Sequence, residues 1–219
     1  MTIFAGVVSH DGAPIPDGWA ESIARSLSRN PAHAPAEYRT ATAYIAKVDI
    51  QAFDSPGFSE RDRGSIAMLA GHPLLRGMTG PRSEHLRALH DSWDREDWSV
   101  LQQARGTYCA VHYDADHHVL SLVGDKLGVR PIYYWVGEHC TVFTTAMRIL
   151  EACEGVPKVM DLRGVTELAA LGYPLGRRTP YLDVHVLHSG EVVHVTGGSL
   201  RRHRYWAWDE VVASQTGTV

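Results

Sequence analysis

Cysteine is scarce in this chain of 219 residues: there are three, at positions 109, 140 and 153. An odd count with no Cys-x-x-Cys pair excludes a disulfide framework and a cysteine zinc site. It points to a reducing compartment, so a cytoplasmic location is the expectation. Long apolar runs are missing too. No stretch approaches the roughly 18 apolar residues of a membrane helix. The opening MTIFAGVVSHDG lacks the basic flank of a leader peptide. Excess positive charge is also absent. Lys and Arg number 21 against 25 Asp and Glu, a net −4, which argues against a dedicated nucleic-acid partner. Histidine is plentiful at 13, yet no HExxH or HxxxH spacing occurs, so no metal site is expected. His117 and His118 are neighbours in an expected strand and would face opposite ways. The run Arg201-Arg202-His203-Arg204 alternates in the same manner and reads as a solvated hairpin or domain-contact surface.

What is present describes an ordinary folded chain, 44% hydrophobic and 21% charged. Period-two alternation predicts strands over 2–8, 42–50, 65–70, 106–113, 118–125, 132–136 and 140–144. A last hairpin is expected over 192–195 and 200–205, around Thr196-Gly197-Gly198-Ser199. Helices are expected after Asp17, with Trp19, Ile23 and Leu27 on one face, and over 83–90 and 94–104. Two more follow Thr145 and Asp161, the last turning Val165, Leu168 and Ala169 inward. Residues 30–38, with two prolines, and 51–64 read as loops. Strand clusters separated by helix pairs imply antiparallel sheets covered by helices in one domain over 1–209. A patternless tail, 210–219, reads as the start of a linker.

Several segments together resemble one family. Met1-Thr2-Ile3-Phe4-Ala5-Gly6 resembles the opening Met-Cys-Gly-Ile-Ala-Gly of class II glutamine amidotransferase domains. Gly124-Asp125-Lys126-Leu127-Gly128-Val129-Arg130-Pro131-Ile132-Tyr133-Tyr134 is nearly the Asp-x-Leu-Gly-x-Arg-Pro-Leu-Tyr-Tyr run of the asparagine synthetase branch. Arg105–Tyr108, Phe143–Ala146, Leu171–Pro174, Arg178–Tyr181, Leu187–Gly190 and Arg204-Tyr205-Trp206 match further family segments in order. The resemblance implies an α+β, four-layer αββα sandwich of the N-terminal-nucleophile type. Arg130, Tyr133 and Tyr134 would serve that framework.

The family hydrolyses glutamine with a cysteine at position 2, whose own α-amine is the base once Met1 is removed. Here the position holds Thr2, which could use the same amine in principle. The resemblance places Lys47 where the family binds the substrate carboxylate with an arginine, and lysine lacks that bidentate fork. The Asn-Gly-Glu loop of the family falls on Ala70-Gly71-His72. Ala70 has no side-chain donor for an oxyanion, and His72 replaces an acid. A pocket aspartate is expected among Asp91, Asp94 and Asp97.

Three departures at functional positions imply a domain whose glutaminase is lost, with Thr2 vestigial. Two asparagine synthetase relatives, the β-lactam synthetases and lasso peptide cyclases, use an amine already in the substrate. In both, a C-terminal domain adenylates a carboxylate with ATP and Mg. The expected partners are therefore such a synthetase domain, outside this chain, and a peptide substrate; no cofactor is expected here. Thr196–Ser199 is no pyrophosphate loop, because no Asp and helix follow. Trp206 and Trp208 are candidates for the domain-contact face. A live Thr2 amidohydrolase and a free-standing peptide-binding module are the rival readings.

Overall fold

The computed structural model describes residues 2–28, 34–49, 53, 57–62 and 64–209. The first half runs β1 (Ile3–Ser9), α1 (Trp19–Leu27), β2 (Ala36–Arg39), β3 (Ala43–Val48), β4 (Phe58–Glu60), β5 (Ser65–Gly71), α2 (Arg82–Trp93) and α3 (Val100–Gln103). The second runs β6 (Tyr108–Asp114), β7 (Val119–Gly124), β8 (Tyr133–Val136), β9 (Cys140–Thr144), α4 (Met147–Ala152) and α5 (Leu162–Leu171). It closes with β10 (Val184–Val186), β11 (Glu191–Thr196) and β12 (Ser199–Arg204).

The strands form two six-stranded sheets, ordered β10-β8-β9-β1-β3-β2 and β12-β11-β7-β6-β5-β4. Every pairing is antiparallel. Alternation decides which core each residue joins. Phe4 and Val8 of β1 face Ile66, Met68, Val111 and Leu122 of the second sheet, and the sheets seal against each other. Ala5 and Val7 point the other way, under α1 and α4, where Ile23, Leu27, Ile149 and Leu150 cover them. The far face of the second sheet is capped by Leu86, Leu89 and Trp93 of α2 and Leu101 of α3. The result is the expected layering of helix, sheet, sheet and helix.

Several expectations are corrected. Residues 36–39 and 58–60 are edge strands rather than loop, and β10 was not foreseen. The cap of α1 is Gly18 in the left-handed region, not Asp17, and Ala146, not Thr145, precedes α4. The helix expected over 94–104 shrinks to α3. His117 and His118 lie in the turn between β6 and β7, not in a strand. Asp161 does cap α5, accepting from the Arg163 N–H at 3.0 Å. The inward face of α5 is absent, however. Only Gly164 is buried in that helix, and a Cβ there would lie 2.1 Å from the Thr179 carbonyl oxygen. The helix thus docks by backbone contact, and Leu162, Leu168 and Leu171 stay exposed. The tail 210–219 lies outside the described residues.

The run at 124–134 owes its conformation to one carboxylate. Asp125 is fully buried. Its Oδ1 accepts from the N–H groups of Leu127 and Gly128, both at 2.7 Å. Its Oδ2 accepts from Tyr108 N–H at 3.0 Å, where β6 begins. Its backbone carbonyl takes the Gly190 N–H at 2.9 Å. Asp125→Ala would orphan several buried donors at once, each at a cost of ~1–3 kcal/mol. Urea unfolding should show a loss on the order of 3–5 kcal/mol, with Asp125→Asn intermediate because it keeps one acceptor oxygen.

Candidate functional site

The candidate site lies at one end of the inter-sheet space. Ile3 pairs with Val48 across the β1–β3 ladder, so Thr2 comes opposite Asp49. Thr2 shares the inward parity of Phe4, and Lys47 that of Ile45. The Thr2 hydroxyl donates to Asp49 Oδ1 at 3.1 Å. Asp49 Oδ2 in turn bridges two cations, Lys47 Nζ at 2.9 Å and Arg82 Nη2 at 3.0 Å. Lys47, Arg82 and Thr2 are all buried.

From Arg82 the site continues along β5. Arg82 Nη1 donates to the Gly71 carbonyl at 3.4 Å, and its guanidinium lies 4.4 Å from the Phe53 ring centroid. Phe53 meets His72 edge to face, and His72 meets His85 the same way. Gly71 has φ +91, and a Cβ there would lie 2.7 Å from Arg130 Nε and 2.2 Å from the Thr107 carbonyl oxygen. Only glycine allows that approach. Arg130 thus adjoins the site rather than serving the framework alone. Ala70 is buried beside this turn. The His72 N–H is engaged by the Thr107 carbonyl at 3.2 Å, so it is no ready oxyanion donor.

The charges are unbalanced in an instructive way. Burial pushes Lys47 down to about 8 against the pull of Asp49. Burial also opposes the Asp49 charge, but Lys47 and Arg82 outweigh it and hold its carboxyl below the usual value. Burial, with His85 and Arg82 nearby, lowers His72. Around Gly71, His72 Nε2, Arg82 Nε and Arg130 Nε are buried with no hydrogen-bond partner among the described residues. Such orphaned nitrogens on cationic or imidazole groups are the complement of a carboxylate ligand. The three cysteines are far less acidic than an exposed thiol. All three are buried, and burial raises Cys109 to about 12 and Cys140 to about 11.

The structure therefore gathers Thr2, Lys47, Ala70, Gly71 and His72 at one place, together with Asp49, Phe53, Arg82 and Arg130, which sequence reasoning missed. The expected pocket aspartate is corrected. Asp91 pairs with Arg61, Asp94 bonds His112, and Asp97 accepts from Ser99. None of the three reaches the Thr2 end. Asp49 occupies it, and the available signal was its period-two spacing from Lys47 at the end of a strand. Thr196–Ser199 forms the β11–β12 turn, with Gly197 and Gly198 at positive φ. Trp206 is half-buried and stacks edge-on with the exposed Trp208.

The buried lysine makes a testable prediction. Its proton is held more weakly in the folded chain, near pH 8, than in the unfolded chain, near 10.5. Between those values the unfolded state binds more protons, so this group makes stability rise with pH. Lys47→Met should abolish that rise. The check is the pH dependence of the urea midpoint, wild type minus variant, across that window.

A family model described as glutamine amidotransferase domain matches residues 83–206, more than half the chain. No curated protein matches. Among solved structures, glutamine phosphoribosylpyrophosphate amidotransferase from B. subtilis, complexed with ADP and GMP, superposes with a TM-score of 0.55 at 12% identity. A structure described as the allosteric regulatory enzyme of purine biosynthesis superposes with a TM-score of 0.51 at 13% identity. Each match covers 94% of this chain and 49% of the other, so the chain spans about half the length of either. The two facing antiparallel sheets thus share the fold of these amidotransferases, and the chain belongs to the glutamine amidotransferase domain family.

Proposed function

We propose that this domain has lost glutamine hydrolysis and serves an ATP-dependent, amide-forming enzyme of the asparagine synthetase type. One observation carries the first part: the Thr2 hydroxyl donates to Asp49, which Lys47 and Arg82 lock in place. A carboxylate held below its ordinary pKa is a poor base for an alcohol, so this contact orients the hydroxyl without activating it. The carboxylate-binding arginine expected from the family is a lysine already committed to Asp49. The loop that would stabilise an oxyanion offers an alanine side chain and an engaged backbone N–H. Loss of one such donor costs roughly 10²–10³ in rate. What survives is a cationic, partly unsatisfied pocket suited to holding a carboxylate rather than cleaving an amide.

The second part rests on the 124–134 run and its companions, which resemble the asparagine synthetase branch more than other amidotransferases. In that reading a synthetase domain outside this chain adenylates a carboxylate with ATP and Mg, and the substrate supplies its own amine. Macrocyclisation of a peptide, as in lasso peptide cyclases, is the variant that best suits so altered a glutamine pocket.

The test has two arms. With Met1 removed and the free Thr2 verified by mass, glutamate release from glutamine is expected to stay at background. Thr2→Cys alone should leave it at least 100-fold below a competent glutaminase. Release that Thr2→Ala abolishes would overturn the proposal and establish a threonine amidohydrolase. For the second arm, the product of the native gene is expected to be larger than 24.2 kDa and to exchange pyrophosphate into ATP with Mg and a carboxylate substrate. A native product of this mass without exchange would refute the synthetase assignment.

A further inference from the structure

A second cluster lies on the opposite face of the second sheet, away from Thr2. His90 is on α2, and Asp94, one turn later, is the residue that ends that helix. His112 projects outward from β6, because its neighbours Val111 and Tyr113 face the inter-sheet core. One ring nitrogen each of His90 and His112 and an Asp94 carboxylate oxygen all lie within 4.8 Å of one another. Asp94 Oδ1 is 2.9 Å from His112 Nε2 and 3.6 Å from His90 Nε2. Tetrahedral ligands at zinc bonds of about 2.0–2.2 Å are themselves about 3.3–3.6 Å apart. The three atoms bracket that spacing.

Four further observations point to a cation here. First, Asp94 stands at the negative end of the α2 dipole, where a carboxylate is disfavoured unless positive charge is near. Its ion-pair partners among the described residues are these two histidines. Second, the His90 ring is oriented from behind, with Nδ1 2.9 Å from Ser59 Oγ. A bond of that kind fixes ring and tautomer in metal-bound histidines. Ser65 Oγ, 2.8 Å from His90 Nε2, completes the wall. Third, His90 is fully buried and His112 nearly so, whereas the Asp94 side chain is one-third exposed, so the cluster has one open side. Fourth, that side opens into a cleft of about 550 Å³ lined by Asp94, His112, Trp93, Trp98, Ser121 and His194. The Trp93 indole N–H in its wall is buried without a partner among the described residues, and Trp98 stacks on Trp93 and meets His194 edge-on at 4.7 Å.

We propose that His90, Asp94 and His112 form a site for a divalent transition metal, zinc foremost, with a coordination position open to the tryptophan-walled cleft. Two imidazoles and one carboxylate suit Zn²⁺ and Co²⁺ over the hard ions Mg²⁺ and Ca²⁺. Three protein ligands leave the fourth position to water or to a donor atom of a small molecule seated in the cleft. This site is independent of the amidotransferase reading, since it shares no residue with the Thr2 pocket.

The experiment is equilibrium dialysis of the 219-residue chain against micromolar Zn²⁺, with metal analysis and a thermal scan. One equivalent of zinc and a higher Tm are expected. Asp94→Asn and His112→Gln should each weaken binding at least tenfold. His139→Gln, which disrupts an exposed pair with Asp11, should change nothing. Co²⁺ should give ligand-field absorption bands in the wild type, and zinc should displace them. No retained zinc, or retention undiminished in the Asp94→Asn, His112→Gln double variant, overturns the proposal. If those variants fail to fold, the cobalt spectrum decides: wild type without ligand-field bands overturns it as well.

Discussion

A single buried carboxylate ties one end of the second sheet together. Asp125 accepts backbone donors from its own loop and from the start of β6, while its carbonyl holds Gly190. Those contacts set the exit of β7, the entry of β6 and the turn before β11, three adjacent strands of the second sheet. Because β6 pairs with β5 from Ser65 to Gly71, the same anchor sets where β5 ends. The Gly71 turn, and with it the edge of the Thr2 pocket, is placed by a group far from it in sequence. The Tyr205 hydroxyl adds a donor to the Gly124 carbonyl at 2.5 Å, so the close of the domain is fastened to the same point.

The neighbouring pocket follows an opposite logic. There a carboxylate is surrounded by cations rather than by backbone amides, and the surplus is positive. Lys47 and Arg82 neutralise Asp49 and leave orphaned nitrogens on Arg82, Arg130 and His72. Binding a carboxylate and positioning an amide draw on the same kind of cationic wall.

Strands were legible in the sequence because alternation is a local signal that burial on two faces leaves intact. The run at 124–134 was legible only as a family resemblance; the turn that Asp125 holds, with Gly128 at positive φ, came from the structure. The α5 face was not legible. Its apolar residues have helical spacing, yet the helix rests on Gly164 and leaves its leucines in water. Asp49 and Arg82 escaped notice because their pairing joins positions 33 apart, which no local pattern encodes. Likewise Asp91, Asp94 and Asp97 have a plausible spacing but lie on the wrong side of the sheet. The grouping of His90, Asp94 and His112 has no local signature, because it joins one turn of a helix to a strand.

The basic row at β12 also bears on the behaviour of the isolated chain. β12 is the last strand of its sheet, and Arg201, Arg202, His203 and Arg204 are all exposed along it. An outermost strand offers unpaired amides to any other strand that approaches. Successive arginines on that border make two copies repel before their backbones can zip together. The basic cluster thus acts as a fence, and it keeps a two-sheet protein from growing a thirteenth strand out of its neighbour.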